Sequence, residues 1–342
     1  MKRATSALLH AAQGKRFTAA VLRVERGGRP VFEEAYGTLE DSPDAAQVEV
    51  TTRFDLASLT KLYVATAVLQ QVAEGRLTLD APLLEIVPEW NAERRGITLR
   101  RLLAHTSGMQ SGADYRTLFD TDVEQFALHR PLLAEPGRRV IYSDLGFIAL
   151  GVVLARATGR SLASVVATAS ARSNARATAF RPSPSERKAI PATEYDAWRG
   201  RVRGSVHDEK AELMGGAAGH AGLFGTARDV AALSEIFLGP LHARPHAALP
   251  AALAASAISE HGRDPILRRG LGWALKTSDE NSCGAAMSRA TFGHTGFTGT
   301  SVWVDPERDL SVVLLTNAVY YGRGDLRDLR AAVGDAAVAE FG

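Results

Sequence analysis

Residues 54–61 read FDLASLTK, and an apolar helical pattern begins inside this stretch. Apolar and small side chains recur at i, i+3, i+4 and i+7 spacing, namely Leu59, Leu62, Tyr63, Thr66, Leu69 and Val72. The pattern predicts a helix from about Ser58, with Asp55 as its N-cap and Gly75 at its C-terminal end. Because side chains three residues apart share one face of a helix, Ser58 and Lys61 are expected to meet.

The spacing of Ser58 and Lys61 suits nucleophilic catalysis. The positive end of the helix and burial both favour an uncharged lysine, which accepts the proton of the serine hydroxyl. The Ser58 N–H, free at the start of a helix, is a donor for a developing oxyanion. Helix capping alone also explains a serine at this position. The same spacing recurs at Ser185 and Lys188 without an apolar helical pattern, and we interpret that copy as accidental.

Tyr142 stands directly before another apolar helical segment, residues 144–158, which ends at Gly159. A tyrosine hydroxyl in this place suits proton relay between a serine, a lysine and a leaving group. The alternative is an aromatic packing anchor ahead of a helix that is capped by Ser143 or Asp144.

His294 lies in a strand-like run and is followed by Thr295 and Gly296. A glycine in a strand lets a substrate approach the backbone closely. Two competing histidines are also followed by glycine within three residues: His105, predicted to shape a loop at a helix end, and His220, in a glycine-rich loop. We therefore select His294 as the candidate for the site.

Strand-like patterns occur near both ends of the chain, and helical patterns fill the middle. The predicted strands cover residues 20–25, 30–36, 271–276, 290–293, 300–304 and 310–316; further predicted helices cover 5–14, 98–104, 227–238 and 325–340; and residues 168–205 read as a surface excursion. This order predicts an α+β fold, an α/β sandwich in which an antiparallel sheet is flanked by helices. We expect an α/β domain from residues 1–61 and 266–342, an inserted, mainly helical domain from residues 62–265, and an active site in the cleft between them.

The composition excludes several classes of protein. The chain has 342 residues, of which 46% are hydrophobic and 23% charged, and a net charge of +2, as in ordinary globular proteins. Its arginines are scattered without interleaved aromatics, so no nucleic-acid partner is expected. The longest apolar run, residues 146–155, is too short to span a bilayer and no signal-peptide pattern occurs, so we expect a cytoplasmic location without membrane contact. A single cysteine, Cys283, excludes an intrachain disulfide.

No metal or cofactor is expected either. His207-Asp208-Glu209 is a weak metal-binding pattern, because adjacent side chains on one segment rarely converge on one ion. The glycine-rich loop at residues 215–225 lacks the lysine of a phosphate-binding loop.

Taken in chain order, Ser-x-x-Lys at 58, Tyr-x-Asp at 142 and His-Thr-Gly at 294 resemble the motifs of the serine β-lactamase and penicillin-binding-protein superfamily. The chain is more similar still to the class C β-lactamase-like serine hydrolases, which include esterases, D-amino-acid peptidases, acyltransferases and penicillin-binding-type thioesterases. Further similar segments are residues 54–61, 74–80, 97–108, 219–224 and 293–301, and the resemblance extends from about residue 17 to 317.

This resemblance implies a covalent acyl-enzyme and a role for each motif. Ser58 would be the acylated nucleophile, with Lys61 as its base. Tyr142 would share proton transfer to the leaving group, and His294 would hydrogen-bond Tyr142 or the substrate. The backbone N–H groups of Ser58 and Phe297 would form the oxyanion hole. Further residues expected to border the substrate are Thr295, Gly296, Asp144 and His220.

Two positions depart from the common pattern of the family. His294 stands where penicillin-active members carry a lysine, and a histidine with its ordinary pKa of about 6.5 is largely neutral at pH 7. Asp144 replaces an asparagine. We therefore expect a carboxylesterase-like activity on an ester, thioester or amide, with a small or carrier-bound acyl substrate. The alternatives are a biosynthetic acyltransferase or thioesterase, a β-lactamase or D-amino-acid peptidase, and a non-catalytic ligand-binding homologue. The oligomeric state stays open.

Overall fold

The computed structural model describes residues 2–263 and 268–342, and an eight-stranded antiparallel sheet forms the centre of this described part. Numbered in chain order, the strands lie side by side as β2 (Arg29–Gly37), β1 (Ala19–Arg26), β13 (Leu310–Thr316), β12 (Ser301–Asp305), β11 (Phe292–Thr295), β10 (Ala274–Leu275), β9 (Arg268–Arg269) and β8 (Gly262–Arg263). The N- and C-terminal segments meet where β1 pairs with β13. The predicted antiparallel sheet is therefore confirmed.

Eleven α-helices lie within the described residues. They are α1 (Lys2–Gln13), α2 (Thr60–Ala73), α3 (Leu99–Leu103), α4 (Val123–His129), α5 (Asp144–Thr158), α6 (Leu162–Arg172), α7 (Pro184–Arg187), α8 (Glu209–Leu213), α9 (Ala227–Leu238), α10 (Ala251–Ala257) and α11 (Arg327–Phe341). A small three-stranded sheet joins β3 (Phe54–Asp55), β7 (Leu223–Gly225) and β4 (Ala179–Phe180), and a short hairpin joins β5 (Tyr195–Asp196) to β6 (Gly200–Arg201).

Helices cover both faces of the large sheet, and the alternating side chains of β1 show the reason. Its alternate residues belong to different cores, since successive side chains of a strand point to opposite faces. Ala20 and Leu22 pack in the core that also holds residues of α1 and α11. Ala19 and Val21 pack in the larger core that holds α2, α5 and α9. The predicted arrangement of a sheet flanked by helices is confirmed.

The central helix α2 is buried along nearly its whole length, from Thr60 to Gln71. It begins two residues later than predicted, because Ala57–Leu59 form a 3-10 turn in front of it. Asp55 lies on β3 and does not cap the helix, so that expectation is wrong. Gly75 has a φ of +72° directly after the helix, as expected of a glycine at a helix end.

Other predicted elements differ in extent. Of the predicted strand 271–276, only residues Ala274–Leu275 pair in the sheet. The chain turns at Gly272, which has a φ of +86° and lies close to α2. The segment 168–205 contains the end of α6, the short helix α7 and three short strands, so it is not a simple surface excursion. Helices α4, α6, α7, α8 and α10 have no counterpart among the predicted helices.

The predicted division into two domains stays a prediction, and its second boundary, at residues 265 and 266, lies outside the described residues. In the described part of the chain, no single helix has the length and apolarity to cross a membrane; α5 and α6 pass that test only as a pair, across a bend of 88°.

Candidate active site

Ser58 lies in the 3-10 turn between β3 and α2, where the backbone is held tightly. Ala57 has a φ of +45°, a conformation that non-glycine residues rarely adopt. The carboxylate of Asp55 fixes this turn, because it accepts hydrogen bonds from the N–H of Ala57 at 2.8 Å and from the N–H of His207 at 2.6 Å. Burial raises the pKa of Asp55 to about 6, against the effect of these two donors.

The turn between β11 and β12 is hydrogen-bonded to the strand that precedes Ser58. The Thr298 hydroxyl donates to the carbonyl of Asp55 at 2.9 Å, and the Thr300 hydroxyl donates to the carbonyl of Leu56 at 3.1 Å. Gly296 has no room for a side chain, since a Cβ there would lie 2.7 Å from the carbonyl oxygen of Leu56. This close approach brings Phe297 to the same cavity wall as Ser58. Among the described residues, nothing accepts a hydrogen bond from the Phe297 N–H.

Lys61 is fully buried and contacts three acceptors. Its Nζ lies 3.1 Å from Ser58 Oγ, 3.1 Å from the carbonyl oxygen of His220 and 2.9 Å from Asp144 Oδ1. Burial lowers the pKa of Lys61, but Asp144 and Tyr142 outweigh burial and hold it above its ordinary value. The expectation of an uncharged Lys61 is therefore wrong for the resting site, because a carboxylate opposes the ammonium and all three ammonium protons have acceptors.

Tyr142 lies between Lys61 and two histidines. The Lys61 Nζ is 4.9 Å from the centroid of the tyrosine ring, and the ring of His294 is 6.0 Å from it. The ring of His105 packs against the tyrosine at 4.6 Å, and its Nδ1 accepts a hydrogen bond from the N–H of Ser143 at 3.0 Å. His105 thus fixes the segment that carries Tyr142. Ser143 is the N-cap of α5. Of the two predicted caps, Ser143 and Asp144, the first is therefore the one observed.

His294 lies on β11 and is 3% exposed. Its Nδ1 is 2.8 Å from the carbonyl oxygen of Thr295, and since a carbonyl only accepts, Nδ1 carries the proton. Burial, followed by the charges of Arg269 and Lys61, lowers the pKa of His294 to about 3. The histidine is therefore neutral at pH 7, as the sequence analysis expects. Its Nε2 has no hydrogen-bond partner among the described residues.

Asp144, the first residue of α5, connects Lys61 to a second buried lysine. Its Oδ2 lies 3.6 Å from the Nζ of Lys210, which in turn lies 3.0 Å from Asp208. Asp208 accepts a hydrogen bond from His220 Nε2 at 2.9 Å. We call Lys61, Asp144, Lys210, Asp208 and His220 the charge ladder. His220 reaches it because Gly219 packs directly on the carbonyl of Phe147 in α5, where a Cβ would lie only 1.8 Å away.

Three members of the ladder have the chemistry of a metal site. One ligand atom each from Asp144, Asp208 and His220 lies within 4.8 Å of the others. The ammonium of Lys210 already contacts both carboxylates, so the cationic position between them is filled by a side chain. The adjacent residues of the weak metal pattern diverge: His207 is next to Glu194, and Glu209 pairs with Arg323.

A cavity of about 690 Å³ opens in front of the serine. Six of the predicted site residues line it: Ser58, Tyr142, His294, Thr295, Gly296 and Phe297. Lys61, Asp144 and His220 do not line the cavity; Lys61 and His220 are buried, and the Asp144 side chain is partly exposed. Five arginines also line the cavity in the described part of the chain: Arg268, Arg269, Arg323, Arg327 and Arg330. The neutral His294 therefore does not by itself set the charge of the cavity.

The sequence analysis missed several residues that shape this site. Lys210 and Arg330 come from α8 and α11, and Arg269 from β9. Their sequence neighbours show no pattern that distinguishes them from surface lysines and arginines. For His105 the sequence does contain an indication, because the residue lies in one of the segments similar to the superfamily. The sequence does not show that His105 contacts Tyr142.

A serine hydroxyl on a cavity wall, contacted by a buried lysine and flanked by a tyrosine and a neutral histidine, defines a serine hydrolase or acyltransferase. The chain belongs to the beta-lactamase family, whose model matches residues 5–336.

Curated relatives and solved structures agree with this assignment. Esterase EstB of Burkholderia gladioli is 32% identical, over 90% of this chain and 88% of the esterase. The N-acetylmuramyl-L-alanine amidase of Bacillus subtilis (strain 168) is 29% identical, over 88% of this chain and 77% of the amidase. The structure of EstCE1, a hydrolase with promiscuous acyltransferase activity, superimposes with a TM-score of 0.78 at 25% identity, over 97% of this chain and 98% of EstCE1.

Proposed function

We propose that this protein is an esterase-like serine hydrolase that forms a covalent acyl-Ser58 intermediate. The observation that carries the proposal is the 3.1 Å contact between Lys61 Nζ and Ser58 Oγ on the wall of an open cavity. The likeness to esterase EstB over nearly the whole chain supports an ester as the substrate.

In the proposed reaction, Ser58 Oγ bonds to the acyl carbon while its proton passes to the uncharged form of Lys61. The N–H groups of Ser58 and Phe297 donate to the carbonyl oxygen as it becomes negative. The bond from the acyl carbon to the leaving group then breaks, and Tyr142, beside Lys61, passes the proton to the leaving alcohol, thiol or amine. Water then gives a proton to the same groups as its oxygen bonds to the acyl carbon. The bond from that carbon to Ser58 Oγ breaks, Oγ regains the proton, and the acid leaves.

A fluorophosphonate probe and p-nitrophenyl esters test this proposal. Wild-type protein should be labelled at Ser58, as peptide mass spectrometry would show, and should cleave the esters. Ser58→Ala should lose both properties. Ser185→Ala, in the accidental copy of the spacing, is the matched control and should keep both. Equal inertness of the wild type and Ser58→Ala would refute the proposal.

A second candidate is acyl transfer to an alcohol or amine. It is favoured by the likeness to EstCE1, whose structure is described as that of a hydrolase with promiscuous acyltransferase activity. Adding an alcohol to the ester assay should yield a new ester, measured by mass spectrometry, at the expense of free acid. Nitrocefin turnover, or its absence, decides whether β-lactams are also substrates.

The expected substrate is a small acyl compound or a carrier-bound acyl chain. The expected location of the protein is the cytoplasm. The cavity suits such a substrate, because it is open and has apolar residues, such as Leu275 and Trp303, beside its arginines. A single cysteine, buried at Cys283, is compatible with a reducing compartment. Cell fractionation with an antibody tests the location.

A further inference from the structure

The charge ladder alternates in sign, and its members come from four separate parts of the fold. Lys61 belongs to α2, Asp144 begins α5, Asp208 and Lys210 lie at the start of α8, and His220 lies in the loop before β7. Two lysines face two aspartates, so these four charges balance; both lysines are buried, and the two aspartates are partly exposed. Asp144 is at its centre, with one carboxylate oxygen toward each lysine.

We propose that Lys210 is a positioning residue that tunes how tightly Lys61 holds its proton, acting through their shared partner Asp144. This inference rests on the proposed function, in which Lys61 must lose a proton before it accepts one from Ser58. Lys210 touches neither the serine nor the cavity wall, so its action on the reaction is indirect.

Competition for one carboxylate is the physical basis. Asp144 favours the charged form of Lys61, and the strength of that effect depends on how much negative charge Asp144 presents. The Lys210 ammonium, 3.6 Å from Asp144 Oδ2, offsets part of that charge. Without Lys210, Lys61 would be the one lysine that the described residues place at Asp144, beside the ring of His220, and Lys61 would hold its proton more tightly.

Asp208 keeps Lys210 in this position and places a negative charge next to its ammonium. It contacts Lys210 Nζ at 3.0 Å, caps α8 by accepting from the N–H of Ala211 at 2.9 Å, and bonds His220 at 2.9 Å. Burial raises the pKa of Asp208, but His220 and Lys210 outweigh it and hold that pKa well below its ordinary value. Asp208 is therefore a fixed negative charge beside Lys210, within 4.8 Å of the Asp144 carboxylate.

The remaining groups that face Lys61 do not replace this effect. Tyr142 packs against it from the segment before α5, and Phe147 of α5 contributes an apolar ring. His105 and His294 approach from the end of α3 and from β11, and burial lowers the pKa of both, so they carry no charge at pH 7. Arg269 of β9 adds a positive charge that stays constant with pH. Asp144 is the carboxylate that the described residues place in contact with Lys61.

The test compares Lys210→Gln with wild type by the pH dependence of Ser58 acylation, measured as the p-nitrophenolate burst. The rate should rise with pH in both proteins, and in Lys210→Gln the rise should lie about one pH unit higher, an effect of about tenfold at neutral pH. Lys210→Arg keeps the charge and should restore the wild-type position. Lys188→Gln, at an exposed lysine, is the control and should not shift the profile.

A second variant should shift the pH profile in the opposite direction, and it keeps the proposal testable if Lys210→Gln fails to fold. Asp208→Asn keeps a good helix cap but removes a negative charge, so the profile should move to lower pH. Coincident profiles for wild type, Lys210→Gln and Asp208→Asn would overturn the proposal.

A readout without turnover separates this inference from the proposed function. The chain has six lysines, so the Lys61 resonance of ¹³C-labelled lysine can be assigned by Lys61→Arg and titrated directly. A shifted Lys61 titration in a protein that no acylating probe labels would support the inference and refute the proposed function. An unshifted titration in a protein that is acylated at Ser58 would do the reverse.

Discussion

Lys61 Nζ lies 2.9 Å from Asp144 Oδ1, closer than the 3.1 Å that separates it from Ser58 Oγ. The lysine beside the nucleophile is therefore held by a carboxylate, in the place where the resemblance leads one to expect an asparagine. A carboxylate favours the charged lysine, whereas the proposed reaction needs the uncharged form. The acylation rate should consequently rise with pH until Lys61 is deprotonated.

Replacing Asp144 with asparagine should move this rise to lower pH. Asparagine keeps the shape of the side chain but removes the charge, so the pKa of Lys61 falls and more of it is uncharged at pH 7. We expect a shift of about one to three pH units, measured by the p-nitrophenolate burst. Asp325→Asn, which removes an exposed carboxylate from the cavity wall, is the control. A profile of Asp144→Asn that lies at higher pH than wild type would contradict this account.

The second prediction concerns the packing of Gly296 on the strand before Ser58. A methyl group there would lie 2.1 Å from Thr300 Oγ1 and 2.7 Å from the carbonyl oxygen of Leu56. Gly296→Ala should therefore push the turn that carries Phe297 away from the serine. If the Phe297 N–H stabilises the oxyanion, kcat should fall by about 100-fold or more.

The matched control for this substitution is Gly324→Ala. Gly324 also lines the cavity, but a Cβ added there meets nothing within 4 Å. Its kcat should stay near that of wild type, and both variants should unfold cooperatively in urea. An unchanged kcat in a folded Gly296→Ala would show that the close approach is not needed for the reaction.

The third prediction is a pH dependence of stability caused by His294. Burial lowers the pKa of His294 to about 3, whereas the unfolded chain has its ordinary value near 6.5. Below pH 6.5 the unfolded state binds a proton that the folded histidine does not, so stability is lost as the pH falls toward 3. At pH 5 this amounts to about 2 kcal/mol relative to pH 7.

Urea unfolding at pH 7 and pH 5 measures this effect. His294→Gln should lose less stability between the two pH values than wild type, since glutamine does not titrate. His10→Gln, at an exposed position of α1, should behave like wild type. An equal loss in wild type and His294→Gln would show that His294 is already protonated in the folded protein at pH 5.

The sequence predicted the elements whose pattern is local. β1, β13 and α5 follow from the alternation or helical spacing of their own residues, and the contact between Ser58 and Lys61 follows from a three-residue spacing. The protonation of Lys61 did not follow, because it depends on Asp144, 83 positions later in the chain. Helix position and burial both argue for an uncharged lysine, and one partly buried carboxylate in contact with it is enough to reverse that conclusion.

The same limit applies to the cavity wall. Arg269 and Arg330 are scattered in the sequence, and their nearest neighbours do not predict which side of the fold they face. Sheet pairing and the packing of α11 bring them to the cavity that Ser58 also lines. The charge of the cavity is therefore a property of the fold, whereas the nucleophile and its neighbouring lysine are properties of one short segment.

The last prediction concerns Arg330 on α11, which holds the turn that carries Phe297. Its guanidinium donates to the carbonyl oxygens of Gly296 at 3.0 Å and Thr300 at 3.2 Å, and burial lowers its pKa to about 10, so it is charged at pH 7. Arg330→Met keeps much of the bulk but removes both hydrogen bonds. We expect kcat on a neutral p-nitrophenyl ester to fall by about tenfold, with KM nearly unchanged, because hydrogen bonds from a charged group contribute about 1.5–3 kcal/mol each and their loss loosens the oxyanion donor.

Arg327→Met removes another arginine from the same cavity wall, but its side chain is two-thirds exposed and pairs only loosely with Asp325, at 3.9 Å. It therefore controls for the loss of positive charge in the cavity. If both variants lose activity equally, the general charge of the cavity is responsible. If only Arg330→Met loses activity, the hydrogen bonds of Arg330 to the turn are responsible. Because the ester is neutral, a simple electrostatic attraction of the substrate cannot produce the second result.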